Sequence, residues 1–280
     1  MQTVVRRGLV GFSVLVVVFL LAPVLIVVPM SFSSSPFLQF PPPGWSTQWY
    51  RTIFSDPEWT GAMLLSARVG VIATLIALSV GTSAAYALVR GRFRAKGALF
   101  GVLLLPMIVP SIVFAVGAYL IALRLDLVGS VWLLGCAHAV LALPYVVTTV
   151  GASLRTTDHR LELVAQTMGA SRLTAFRLVT LPLIAPAMVA AVVITLILSL
   201  DETVVSLFLT GDLEPTLPVR VYNSIRYELD PLVPVAGSLV IAATLVIGGI
   251  ALITRWALLR ATHVQTTGPR AVPTPEKVPA

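Results

Sequence analysis

Charge is scarce in this sequence: of 280 residues only 11% are Asp, Glu, Lys or Arg, where roughly 25% is usual in a soluble domain. That scarcity excludes an ordinary soluble fold. Lysine is almost missing, with only Lys96 and Lys277. They are followed by glycine and valine, so no Gly-Lys-Ser/Thr loop cradles a nucleotide phosphate, and the chain cannot hydrolyse ATP by that route. Neither a HExxH zinc motif nor a GxSxG nucleophile elbow occurs, which removes the residues an intramembrane protease or lipase would need. Cys136 is the one cysteine, so there is no intrachain disulfide and no pair for redox chemistry. His138 lies near it without a second ligand at metal spacing. It reads as a buried hydrogen-bonding group rather than a metal site.

What is present is apolar. Hydrophobic residues make up 57% of the chain and the mean hydropathy is +0.95, the signature of a polytopic membrane protein. Runs long enough to cross a bilayer, about 20 residues, occur at 9–30, 69–89, 98–123, 128–154, 183–200 (with a possible extension to 209) and 232–259. Six spans follow. The formal charge of +7 would point to nucleic acid or anionic surfaces in a soluble protein, but here its placement matters more. With the N-terminus inside, 14 of the 19 basic residues fall on one side: Arg6 and Arg7, the cluster Arg90 to Lys96, the cluster Arg155 to Arg177, and those from Arg255 onward. Arg51, Arg68, Arg124, Arg220 and Arg226 are left on the other. The bias places both termini in the cytoplasm. Arg68 sits at the outer end of the second span, from which it can snorkel. The first run exceeds a signal-peptide core and no small-x-small cleavage site follows it, so it is expected to be a retained anchor.

Between the first two spans, residues 31–61 are broken by prolines, Gly44 and serines. Trp45, Trp49, Tyr50 and Trp59 are expected to form a membrane-interface belt in preference to a ligand box. Pro106 and Pro110 in the third span, and Pro144 in the fourth, remove backbone donors. They mark either helices broken along a translocation route or packing kinks. The tail 261–280 has four prolines and no periodicity, and is expected to be disordered in the cytoplasm.

Two polar stretches interrupt the apolar pattern. In 155–182, Leu161, Val164, Ala165 and Met168 fall at helical spacing, predicting a helix with an apolar stripe that shows Arg160, Glu162 and Gln166 to water. Asp158 is its N-cap, and Gly169 can take the left-handed conformation that ends it. Ser171 caps a second helix through Arg172, Leu173 and Phe176 toward Leu181 and Pro182. In the other stretch, Asp201 and Glu202 lie about 20 residues beyond Leu181, roughly 30 Å of helix. Acids at that depth either face a bundle interior, where they bind or steer a cation, or sit at the interface beyond a span that ends at Leu200. Asp212, Glu214, Glu228 and Asp230 add negative charge to the same outer mouth, partly offset by Arg220 and Arg226.

The run Ala165, Gly169-Ala170-Ser171, Val179, Leu181-Pro182 resembles the cytoplasmic signature loop of binding-protein-dependent ABC importer permeases. Their pattern is Glu-Ala-Ala, three residues, Gly, nine residues, an apolar residue, one residue, Leu-Pro. The spacing from glycine to Leu-Pro agrees residue for residue. Leu163 and Val164 stand where that family has Glu and Ala, and Glu162 stands one place early, matching the first of two consecutive glutamates found in many members. Ser199 to Glu202, Phe208 to Gly211, Thr216 to Val219 and Ile225-Arg226 resemble segments of the polyamine-type branch of these permeases.

The resemblance implies an all-α membrane protein with six transmembrane helices of the type I ABC importer permease fold and a cytoplasmic coupling helix. Residues 1–260 would form the permease domain, with Glu162, Ala165, Gly169, Ala170 and Ser171 coupling to the ATPase and Asp201 and Glu202 in the substrate pathway. It further implies two ATP-binding subunits carrying ATP and Mg, no cofactor in this chain, and a second, related but different permease chain. An external substrate-binding protein would deliver a small cation such as putrescine or spermidine, or an amino-acid-like compound or opine. The expected location is a bacterial inner membrane, with no nucleic acid among the partners. An ion-coupled secondary transporter with Asp201 and Glu202 as its cation site is the competing class.

Overall fold

The computed structural model describes residues 2–211, 215–227 and 230–266, which fold as helices apart from one isolated antiparallel bridge between Ser33 and Trp45. Helix α1, Gln2–Ser31, lies along the last helix and otherwise turns its side chains outward, with Phe19 77% exposed. A side chain like that is at ease only in lipid or against another membrane chain. After the bridged loop comes α2, Gln48–Ser55, and then α3, Pro57–Arg90. Asp56 starts α3 by accepting hydrogen bonds from the backbone N–H of Glu58 and Trp59, with Pro57 where a missing N–H costs nothing.

The third apolar run is two helices rather than one. α4, Lys96–Ile108, and α5, Ser111–Leu125, meet at 104°. Pro110 has no N–H to donate, and it drives Val109 into extended backbone (ψ 127°), which ends α4 there. Pro144 does not act this way: α6, Val131–Thr156, runs through it unbroken. Pro106 is likewise carried inside α4, and Pro144 is buried in the packed centre of α6.

Then follow α7, His159–Thr167, and α8, Arg172–Ala175. α8 passes through a π turn, Phe176–Thr180, into α9, Leu181–Asp201, making one rod of 30 residues. The fifth span therefore begins about eleven residues before the apolar run does. α10, Val204–Leu209, and α11, Leu217–Tyr227, lead to α12, Leu232–Thr266. α12 continues six residues into the stretch expected to be disordered; residues 267–280 lie outside the described residues, as do Asp212, Glu214 and Glu228 of the outer acidic group. Among the described residues, five helices are long and apolar enough to cross a membrane, and the bent pair α4–α5 accounts for the sixth run.

α3, α6 and α9 form the centre, with a core of small and β-branched residues such as Ala73, Ala77, Ala142, Val146, Val150 and Ala191. Water offers no drive for helix association in lipid, so close backbone approach supplies it. A methyl group at Gly135 of α6 would run into Ile72 of α3, and one at Gly81 of α3 would lie 2.7 Å from Val146 of α6. A second cluster joins α5, α6 and α10 through Ala115, Ala122, Leu134 and Val205.

The third cluster corrects the aromatic belt. Trp59 is wholly buried against Ile53, Leu217, Leu232 and Val235, with Trp49 and Tyr50 packed on the same group. Only Trp45, 71% exposed, behaves as a belt residue. The Tyr50 hydroxyl lies 2.8 Å from both Ser31 and Ser238, tying α1, α2 and α12 together. Arg220 pairs with Glu58 at 2.6 Å over the Trp59 ring, at the end of the bundle that α2 and α11 cover.

Candidate functional site

The loop between α6 and α9 builds itself as its residue types dictate. Asp158 accepts from the Arg160 N–H at 2.9 Å and Ser171 from the Thr174 N–H at 3.1 Å, each capping a helix. Between them Gly169 stands at φ +95°, a conformation that side chains oppose, and its N–H donates to the Gln166 carbonyl. The Ala170 N–H donates to the Ala165 carbonyl at 3.1 Å, closing the turn with both alanines half-buried.

Arg160 is exposed as the sequence predicts, but Gln166 is half-buried and Glu162 turns inward, while most of the apolar stripe faces out. Glu162 is 2% exposed, whereas Leu161, Val164 and Met168 stand 49%, 55% and 84% exposed. Glu162 Oε1 accepts the Tyr86 hydroxyl in a short hydrogen bond, and Oε2 accepts the Thr180 hydroxyl at 2.8 Å. His159 Nδ1 lies 3.8 Å from the same Oε2. Helical period tells which residues share a face, not what covers that face. Here α3 and the π turn offer two hydroxyl donors, and bonds to a charged acceptor contribute about 1.5 to 3 kcal/mol each, enough to offset much of its burial. The apolar stripe is left bare.

At the far end of α9 the acid pair is split. The helix ends between the two residues: Asp201 closes α9 and points to the exterior, while Glu202 is extended (ψ 102°) and turns inward. Glu202 Oε1 accepts the Val205 N–H at 2.9 Å, starting α10. Its Oε2 carries no hydrogen bond among the described residues, and Glu202 lines a partly open cavity of about 190 Å³. The other walls are Pro106, Met107, Val109 and Ser111 around the α4–α5 bend, His138, Leu141 and Tyr145 of α6, and Leu198 and Ser199 of α9.

His138, absent from the sequence-based site, sets that geometry. It is 3% exposed, with Nδ1 2.9 Å from Ser199 Oγ and Nε2 3.1 Å from Ser206 Oγ. Ser206 spends its proton on the Glu202 carbonyl at 2.8 Å, so it must accept from Nε2–H, and Nδ1 accepts from Ser199. One imidazole thus ties α6 to both sides of the α9–α10 break. Its partners are 61 and 68 residues away, beyond the reach of any local pattern. The larger hollow beside the loop between α1 and α2, about 700 Å³, is lined by Phe32, Trp45, Gln48 and Arg51 and holds no acid.

The chain matches, over residues 77–260, the family described as binding-protein-dependent transport system inner membrane component. It is also 32% identical over 237 residues to the spermidine/putrescine transport system permease protein PotC of Escherichia coli (strain K12), covering 84% of this chain and 89% of that one. The chain belongs to this permease family. The putrescine transport system permease protein PotI of the same strain is 32% identical over 253 residues, 87% of each chain. Among solved structures, a bacterial alginate ABC transporter in complex with an alginate pentasaccharide-bound periplasmic protein shares the fold at a TM-score of 0.70. The identity there is 16%, over 89% of this permease and 93% of that chain.

This permease is therefore a multi-pass inner-membrane subunit of an ABC importer, built on the importer fold, and its family consists of permeases rather than enzymes. The resemblance read from the Gly169 to Pro182 spacing is to the family the comparisons identify.

Proposed function

We infer that this permease forms part of the pathway for a small cationic amine of the putrescine and spermidine class. The observation that carries this reading is the single carboxylate, Glu202, in the wall of a partly open cavity at a helix break with one oxygen left without a hydrogen bond among the described residues. An ammonium group brings three donors and a full charge, and an unused carboxylate oxygen beside the hydroxyls of Ser111 and Tyr145 suits it. The Tyr145 ring can also face the cation. The volume equals that of about six waters, room for an ammonium head with a short methylene stem. The names of PotC and PotI support the same class.

On this reading residues 1–260 are the permease domain, both termini and the 155–182 loop face the cytoplasm, and the basic residues there agree with that orientation. The bare stripe Leu161, Val164 and Met168, with Ala165 and the Gly169-Ala170-Ser171 turn, seats in a groove of an ATP-binding subunit that holds ATP and Mg. Two such subunits, a second permease chain and an external binding protein complete the importer. Closure of the ATPases moves the loop and exchanges access to the cavity between the two sides.

Uptake of labelled putrescine and spermidine by cells carrying the complete transporter tests this. Glu202→Gln should lower uptake about tenfold, the loss of one charge-assisted contact, and Asp201→Asn should leave it within about twofold. Competition by amino acids or opines, with no effect of either diamine or polyamine, would move the substrate to that class.

A further inference from the structure

The resemblance assigns Glu162 to the ATPase contact, yet its carboxylate is among the most buried polar groups in the chain. Its two oxygens are bonded to two different rods: Oε1 to Tyr86, near the end of α3, and Oε2 to Thr180, in the π turn at the foot of α9. Tyr86 is itself braced edge-on by Phe176 of the π turn at 5.0 Å. A neighbouring bond reinforces the joint, since Arg90 at the end of α3 donates to the Thr157 carbonyl at 2.8 Å, just ahead of α7.

Glu162 is the fourth residue of α7, so the helix is held at its first turn, while the following turns, with Val164 and Met168, project outward. Neither bond can open alone without leaving a buried acceptor unsatisfied. π turns are often placed where a helix serves a function. This one presents Thr180 to the carboxylate.

Resting on the reading of 155–182 as the ATPase contact, we propose that Glu162 is a positioning residue that makes no contact with the ATPase. It pins the first turn of α7 to α3 and to the α8–α9 rod at once. The exposed turns receive the push, and the pin passes it to two central helices together.

The test uses the complete transporter in proteoliposomes, reading three quantities: ATPase subunits retained on purification, ATP hydrolysed, and substrate moved per ATP. Tyr86→Phe and Thr180→Val each remove one hydroxyl and touch nothing on the exposed stripe. Each should lower substrate moved per ATP about fivefold, with the ATPase retained and hydrolysis continuing.

Glu162→Ala should do the same or more, and Glu162→Gln should restore most of the coupling. Its amide oxygen can still accept from Tyr86, and its NH₂ can donate to Thr180 Oγ1. A glutamate that paired with a cation on the ATPase would behave in the opposite way: Gln would fail as Ala does, both would shed the ATPase subunits, and Tyr86→Phe and Thr180→Val would be silent. That pattern overturns the proposal. Met168→Asp separates the underlying reading. If it leaves ATPase retention and coupling intact, the loop is not the ATPase contact, whatever the Glu162 variants do.

Discussion

Two glutamates hold the two ends of the region around α9 in this permease, one inside α7 and one at the break between α9 and α10, and they are used in opposite ways. Glu162, in the loop between α6 and α9, has both oxygens engaged by side-chain hydroxyls and is sealed from solvent. Glu202, just past the far end of α9, has one oxygen committed to a backbone N–H and the other without a partner among the described residues, in the wall of a cavity. A carboxylate whose lone pairs are satisfied by the fold holds the fold together and has little left for a ligand. One left half-satisfied at a cavity wall is available to bind. Residue type alone does not separate these roles; the count of donors the fold supplies does.

That comparison can be broken most directly by removing each side chain and following thermal unfolding of the purified permease. Glu162→Leu leaves the Tyr86 and Thr180 hydroxyls facing an apolar group, and should destabilise by about 3 kcal/mol. A loss below about 1 kcal/mol would mean the two bonds are not formed. His138→Ala releases Ser199 and Ser206 and opens a void, at about 2 kcal/mol. It should also raise the substrate concentration for half-maximal uptake, because Glu202 is no longer aimed by the α9–α10 bend. An unchanged value would separate His138 from the cavity's function.

Gly169→Ala imposes a side chain at φ +95° where space is otherwise open, so the expected loss is the backbone strain alone, about 1 kcal/mol. Melting should be insensitive to Glu202→Gln, within about 0.5 kcal/mol, even though uptake falls. A large loss of stability there would show that Glu202 is structural too, and the contrast between the two sites would vanish.

Much of this architecture is legible in the sequence because the bilayer imposes it. A span must be apolar for about 20 residues, so all six runs could be read, and Asp158, Gly169 and Ser171 carry their turn in their own chemistry. The proline break could be read as a place but not as an outcome: Pro110 ends α4, whereas Pro106 and Pro144 lie inside intact helices. The face of α7 could not be read either. Amphipathic patterning assumes that water covers the polar side, and here Tyr86 and Thr180 cover it. Asp201 and Glu202 look alike in sequence because one residue's change of backbone, at the end of α9, decides which of them turns inward. The burial of Trp59 is hidden for a similar reason, since aromatic enrichment at an interface says nothing of Ile53, Leu217 and Val235 closing around one member of the group.

The seam between α3 and α6 has a mechanical consequence. Gly135 accommodates Ile72 and Gly81 accommodates Val146, two interlocks nine residues apart along α3. A pair of rods keyed at two levels can neither slide nor roll without colliding at one key and gaping at the other, so α3 and α6 behave as one plate. Any motion that changes which side sees the cavity therefore has to occur at the plate's edges. On one edge stands a corner free to flex: the 104° bend at Val109 and Pro110, where no backbone hydrogen bond bridges α4 to α5.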